Sequence, residues 1–121
     1  FGTGGASKAV QFVLKQNQVT CTLVGRVNSD NNINYSDLTP EMGKEHTLWI
    51  NCTPVGMFPN MNNSLKLPYH SLSNEHIVID LVYNPEETSF MKRAKGFGAK
   101  AVNGLEMLHN QAQKAWDLWQ A

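Results

Sequence analysis

Apolar side chains recur every three or four residues in several parts of this chain, and that spacing is typical of helices with one apolar face. Thr39 followed by Pro40 is a preferred cap and first helical residue, and glycines further along can end a helix. The predicted helices span residues 5–16, 40 to 44–46, 88 to 96 or 98, and 104–119.

Short continuous runs of apolar and β-branched residues alternate with these helices, as strands buried on both faces of a parallel sheet do. The polar stretch before residues 33–35 is too short for a crossover helix, which leaves either a short edge strand, with antiparallel pairing allowed, or no strand. The other predicted strands span residues 19–24, 47–52, 77–82 and 99–103. The order predicts an α/β, Rossmann-like domain of three α-β-α layers with a mostly parallel sheet.

The first ten residues contain a glycine pattern that is typical of dinucleotide-binding helices. Gly2 and Gly4, with the small Ser7 in the third place, allow a pyrophosphate to approach bare N–H groups at a helix N-terminus. The alternative is a flexible glycine-rich tag. Only Phe1 precedes the motif, so the first strand is expected to be truncated.

The end of the predicted strand 19–24 bears on which dinucleotide fits. An NAD site usually has an acid about 20 residues past the glycines, which binds the ribose 2′-OH. This chain has Arg26 there, and a guanidinium can bind a 2′-phosphate through two hydrogen bonds. The residues favour NADP, although Asp30 would oppose a phosphate if it pointed inward. The alternative is that Arg26 is a solvated loop residue.

The composition of the chain argues against several classes of function. The 121 residues suffice for one domain, and a net charge of zero argues against a nucleic-acid surface. No apolar run reaches the roughly 20 residues of a membrane span. Cys21 and Cys52 form no metal-binding pair and are expected to be buried and reduced, as in a cytoplasmic protein, and the four histidines lie too far apart in sequence to suggest a metal site.

Four strings of residues, in order over essentially the whole chain, resemble shikimate dehydrogenases. They are GTGGAS at 2–7, NCTPVGM at 51–57, DLVYNPEET at 80–88 and NGLEMLHNQA at 103–112. On its spacing alone, the segment 51–57 is interpreted as a simple Pro-Gly turn. The resemblance implies that residues 1–121 correspond to the family's C-terminal NADP-binding domain. It also implies reduction of 3-dehydroshikimate to shikimate with NADPH, in chorismate and aromatic amino acid biosynthesis.

The resemblance also implies roles for individual residues. The implied cofactor-binding residues are Gly2, Thr3, Gly4, Gly5, Ala6, Arg26, Thr53, Pro54, Gly56, Met57, Leu81, Gly104 and Met107. Tyr83 and Gln111 would bind the substrate as neutral hydrogen-bonding groups. The family's Asn-Arg-Thr clamp on the 2′-phosphate is incomplete, because Gly25 and Val27 flank the arginine. Asp30 lies at the position where a second arginine is common in the family.

The resemblance places the catalytic Lys and Asp in an N-terminal substrate domain, so we expect no catalytic residue in this chain and no turnover by the chain alone. A truncated first strand would leave its two neighbours unpaired, and the gap could be closed by another chain, by rearrangement or by residues outside this sequence. With Trp116 or Trp119 exposed, we expect a homo-oligomer or an aggregation-prone fragment. The alternatives are a quinate/shikimate dehydrogenase that prefers NAD and a non-catalytic nucleotide-binding module.

Overall fold

The computed structural model describes residues 1–27 and 29–104, in which helices flank strands that pair in parallel. The helices are α1 (Gly5–Gln16), α2 (Pro40–Glu45) and α3 (Ser89–Gly96). The strands are β1 (Val24–Gly25), β2 (Ile33–Asn34), β3 (Leu48–Asn51), β4 (Ile77–Asp80) and β5 (Lys100–Asn103), and short 3₁₀ turns lie at Tyr35–Asp37 and Tyr69–Ser71. No helix in this part of the chain is long and apolar enough to cross a membrane.

The described helices begin and end close to the predicted bounds. The hydroxyl of Thr39 accepts a hydrogen bond from the backbone N–H of Met42 at 3.2 Å, and α2 has Pro40 in its first turn. Thr88 caps α3 in the same way. The bounds of α1 match the predicted 5–16. The predicted helix 104–119 lies outside the described residues from 105 onward.

The strands form two sheets, joined by the first two residues of the chain. In one sheet β4 lies between β3 and β5, and in the other β1 pairs with β2. Phe1 donates from its amino group to the carbonyl of Ile50 and accepts from the N–H of Cys52 at 2.8 Å. Gly2 donates to the carbonyl of Val24 at 2.8 Å. The truncated first strand is therefore present as a two-residue link between the sheets.

Two expectations for the region around β1 were wrong. The strand predicted over 19–24 is reduced to Val24–Gly25, because among the described hydrogen bonds Gly2 and β2 reach only residues 23–25 of this segment. Cys21, expected to be buried, is exposed for the same reason, while Cys52 is half-buried. Of the alternatives left open for residues 33–35, the structure has the short strand: β2 pairs with β1 in parallel, with Val24 opposite Ile33.

The hydrophobic core lies on the face of the larger sheet that α3 covers. Its buried residues are Trp49, Tyr69, Leu72, Val78, Phe90, Ala94 and Ala99. The ring of Phe1 meets this core edge-on, with centroids 5.8 Å from Trp49 and 6.1 Å from Phe90. Helix α1 lies on the opposite face and buries only Ser7, and Val13 on its apolar face is 54% exposed. The core thus fixes β3 and β4, and the candidate functional site lies at the ends of these strands.

Candidate dinucleotide crevice

A crevice of about 300 Å³ lies where β1 and β3 end, beside the N-terminus of α1. In open α/β sheets, ligands bind at the carboxyl ends of parallel strands. The lining residues come from the glycine turn, the end of β1 and the loop after β3: Gly2, Thr3, Gly4, Gly25, Arg26, Tyr35, Cys52, Thr53, Pro54, Val55 and Leu65. Segments that are far apart in sequence therefore share one concave surface.

The glycine turn leaves room for a ligand at the start of α1. Gly2 has a φ of +104°, which side-chain-bearing residues rarely adopt, and a Cβ there would lie 3.0 Å from the methyl group of Thr53. Gly4 caps the helix without a side-chain hydrogen bond, and a Cβ on it would meet nothing within 4 Å. The first turn contains no acidic residue. Its N–H groups and the positive end of the helix dipole therefore suit an anion.

Arg26 supplies the positive side chain of the crevice. Its residue is exposed, and its carbonyl accepts a hydrogen bond from the Asn34 side chain at 3.0 Å, which fixes the backbone there. The guanidinium forms no ion pair with any carboxylate of the described residues. Burial raises the pKa of the neighbouring Tyr35 phenol, and the charge of Arg26 partly opposes that shift. Asp30 is exposed and does not line the crevice.

The loop after β3 is held by a buried hydrogen-bond network that joins β3, β4 and α3. The side-chain oxygen of Asn51 accepts from the N–H of Thr53 at 2.9 Å and from its hydroxyl at 2.6 Å. The Asn51 amide donates to the Asp80 carboxylate at 3.0 Å, and the Thr88 hydroxyl donates to the same carboxylate at 2.6 Å. Asn51 and Asp80 are fully buried. The network fixes Thr53 at the crevice wall.

The Asp80 carboxylate is the one acidic group of this network. Burial raises its pKa, and hydrogen bonds from Thr88, the Val82 N–H and Asn51 partly lower the pKa again. Sequence reasoning assigned no role to Asp80, Asn51 or Thr88. A signal was present, since an acid within an apolar strand run such as 77–82 needs buried partners.

A second, larger cavity of about 510 Å³ lies between α1 and the ends of β4 and β5. Leu81 and Tyr83 line it after β4, and Gly104 follows β5. A Cβ on Gly104 would lie 2.0 Å from the Leu81 carbonyl oxygen, so only glycine allows this close approach of the two strand ends. Tyr83 is 55% exposed, with its phenol free to meet a ligand.

Several known proteins are similar to this chain in sequence and in structure. The chain is 32% identical to the shikimate dehydrogenase (NADP(+)) of Methanococcus vannielii and 38% identical to that of Clostridium perfringens, over 98% of its length in each case. These matches cover 48% and 46% of the relatives, so the chain spans about half their length. The shikimate 5-dehydrogenase of Thermus thermophilus, solved with NADP(H) and shikimate, matches with a TM-score of 0.78 and 31% identity, over 98% of this chain and 46% of that one. No protein-family model matches.

The chain is related to shikimate dehydrogenases over about half of their length. This relation confirms the resemblance and the Rossmann-like fold class. The implied cofactor-binding residues that line the 300 Å³ crevice are Gly2, Thr3, Gly4, Arg26, Thr53 and Pro54. Those that line the 510 Å³ cavity, beside the implied substrate residue Tyr83, are Ala6, Leu81 and Gly104.

The remaining implied residues are not brought into either cavity. Gly5, Gly56 and Met57 line neither, and Met57 is 46% exposed. Gly56 has a φ of +93° and turns the loop back towards the Thr88 side chain. Met107 and Gln111 lie outside the residues that the structure describes.

Proposed function

We propose that this chain binds NADP(H) as the dinucleotide-binding domain, residues 1–121, of an enzyme that interconverts 3-dehydroshikimate and shikimate. The observation that supports this most directly is the crevice that joins Arg26 to the start of α1, where Gly4 provides no side-chain cap. An anion-binding helix terminus and a separate guanidinium match the two phosphate groups of NADP, the pyrophosphate and the 2′-phosphate. The relatives are named for NADP(+).

In this proposal the cofactor extends from the crevice to the larger cavity. The pyrophosphate would lie against the backbone of residues 2–6, and Arg26 would bind the 2′-phosphate. Thr53, held by Asn51, would form the crevice wall with the rest of loop 53–57. The nicotinamide end, which supplies the hydride, would lie near Leu81 and the Gly104 backbone, with Met107 assigned to the same end by the resemblance alone.

The substrate side of the proposal rests on Tyr83, whose exposed phenol lines the larger cavity. A phenol can donate and accept hydrogen bonds without charge, which suits a polyhydroxylated ring. Gln111 would add a neutral amide. The described residues that line the two cavities include no lysine and no acid, and carbonyl reduction requires a proton donor. The resemblance assigns the catalytic Lys and Asp to the family's N-terminal substrate domain. On that ground we expect no turnover by the chain alone, and shikimate oxidation at the rate of a full-length relative would contradict this.

The test of the cofactor assignment is Arg26→Ala, with Lys92→Ala as a control that removes one exposed positive charge on α3, away from the crevice. Calorimetric titration with NADP and with NAD gives a pair of affinities for each variant. A charge-assisted hydrogen bond is worth about 1.5–3 kcal/mol, so Arg26→Ala should weaken NADP binding about tenfold or more. NAD binding and both affinities of the control should not change.

The two alternatives give different results in the same titrations. A chain that prefers NAD would bind NAD at least as tightly as NADP, and Arg26→Ala would leave both affinities unchanged. The incomplete clamp, with Gly25 and Val27 beside the arginine, is the feature in favour of that outcome. Absence of binding of either dinucleotide would overturn the proposed function.

A further inference from the structure

A polar cavity of about 580 Å³ lies between α1 and the residues that follow Arg26. Lys8 and Gln11 line it from α1. The lining residues that follow Arg26 in sequence are Val27, Ser29, Asn31 and Asn32. Of the implied cofactor-binding residues that the structure describes, Thr3 alone lines this cavity, so neither the glycine pattern nor the resemblance gives the space a role.

Thr3 joins the polar cavity to the dinucleotide crevice, because it lines both. A Cβ on Gly25 would lie 3.0 Å from the Thr3 methyl group and 3.0 Å from the side-chain nitrogen of Asn32, so the bare glycine lets the two spaces approach each other. Arg26 lines the crevice, and the next residue, Val27, lines the polar cavity. The junction of the two spaces therefore lies beside Arg26.

Lys8 has a charge that its place in α1 does not favour. Its N–H donates to the Gly4 carbonyl at 3.1 Å, so Lys8 lies in the first turn, where the helix dipole favours acids over cations. Lys8 is exposed, and its ammonium forms no ion pair with any carboxylate of the described residues. An anion bound beside the first turn would supply the counter-charge that this part of the chain lacks.

The phosphate that distinguishes NADP from NAD can engage more than one cation. A phosphate monoester carries about two negative charges and three acceptor oxygens at neutral pH. Arg26 supplies one charge and can bind two oxygens, and its neighbours Gly25 and Val27 have no polar side chain. Among the described residues, Lys8 and Arg26 are the cations that line the polar cavity and the crevice, and no acid lines either space. Asp30 is exposed and lines neither.

Building on the proposed binding of NADP, we propose that Lys8 is a specificity-determining residue whose ammonium binds the 2′-phosphate from the α1 side, while Arg26 binds it from the β1 side. The flexible four-carbon stem of a lysine and its three donors suit the oxygen that a planar guanidinium leaves free. Asn32 does not take this role, because its side-chain nitrogen donates to the carbonyls of Val27 and Ile33 at 3.0 and 3.1 Å. NAD has no phosphate at this position, so Lys8 favours NADP alone.

The test is calorimetric titration of Lys8→Gln and Lys8→Arg with NADP and NAD, and with the fragments adenosine 2′,5′-bisphosphate and 5′-AMP. The control, Lys15→Gln, removes a positive charge from the last turn of α1, outside both spaces. Lys8→Gln should weaken binding of NADP and of the bisphosphate about three- to tenfold and leave NAD and 5′-AMP unchanged. Lys8→Arg and the control should bind all four as the wild type does. Without ligand, Lys8→Gln should not lower the melting temperature, because it removes an unfavourable charge from the first turn.

Two results with Lys8→Gln would overturn this role for Lys8. Equal losses of NADP and NAD affinity would mean that Lys8 acts on a group that the two cofactors share, or through α1 itself. Unchanged affinities for all four ligands would mean that Lys8 is only solvated. The proposed function is tested separately by Arg26→Ala: if that variant loses its preference for NADP while Lys8→Gln keeps it, only the role of Lys8 is wrong. Absence of dinucleotide binding by the wild type would overturn both.

Discussion

Replacing Thr88 by valine removes a hydroxyl that takes part in two hydrogen bonds while keeping the shape of the side chain. The hydroxyl accepts from the N–H of Met91, as the cap of α3, and donates to the Asp80 carboxylate at 2.6 Å. Thr88 is 1% exposed, so water cannot replace either bond. Thr39 is the matched control, because its hydroxyl caps α2 but is exposed and bonds no carboxylate.

The structure sets the expected magnitudes. Loss of a threonine cap costs about 1 kcal/mol, and this is the whole expected effect of Thr39→Val. A hydrogen bond to a charged group contributes about 1.5–3 kcal/mol, so Thr88→Val should lower the free energy of unfolding by about 2.5–4 kcal/mol. Thr88→Ser, which keeps the hydroxyl, should lose only about 1 kcal/mol for its buried methyl group.

Urea unfolding at neutral pH measures these differences. The informative quantity is the difference between the free energies of unfolding lost by Thr88→Val and by Thr39→Val. This difference isolates the hydrogen bond from Thr88 to Asp80. If the two valine variants lose equal free energy, the buried network does not stabilise the loop as described. Thr88→Val should also weaken any dinucleotide binding in the crevice, because Asp80 and Asn51 together position Thr53.

Two further predictions concern the same strand ends. Burial raises the Asp80 pKa above its ordinary value of 3.8, so the folded chain binds this proton more tightly than the unfolded chain. The contribution of Asp80 to stability therefore falls as pH rises from 3.8 to the raised value, and Asp80→Asn should remove that part of the decline in urea titrations over this pH range. An identical pH slope in both proteins would contradict this. Gly104→Ala should destabilise by about 2 kcal/mol or more, since its Cβ would overlap the Leu81 carbonyl. Gly96→Ala, with no atom within 4 Å, should be tolerated, and equal melting temperatures for the two variants would refute the reasoning.

Local signals in the sequence predicted most of the elements. The bounds of α1, the threonine cap of α2, and the positions of β3, β4 and β5 follow from short-range spacing and cap chemistry. Residues 19–23 have the composition of a strand, yet a strand also needs hydrogen-bonded neighbours, and composition does not report whether they are present. The exposure of Cys21 follows from that missing neighbour.

The candidate site could be predicted in part. The glycine turn and Arg26 share the crevice that their spacing suggested. The Asn51–Asp80–Thr88 network could not be assigned from spacing, because its members lie on three elements that only the folded sheet brings together. Asp80 within an apolar run indicated a buried acid, but not which side chains would be its partners.

The two-residue link at Phe1 and Gly2 has a consequence for local opening of the fold. Among the residues that the structure describes, the β1–β2 pair, which positions Arg26, is joined to the larger sheet by hydrogen bonds through Gly2–Val24 and through the Thr22–His46 contact. A unit with so few attachments opens at a lower free energy than the core around Trp49. Because affinity scales with the fraction of molecules that are competent to bind, discrimination of a 2′-phosphate would be lost in mild denaturant before the core unfolds.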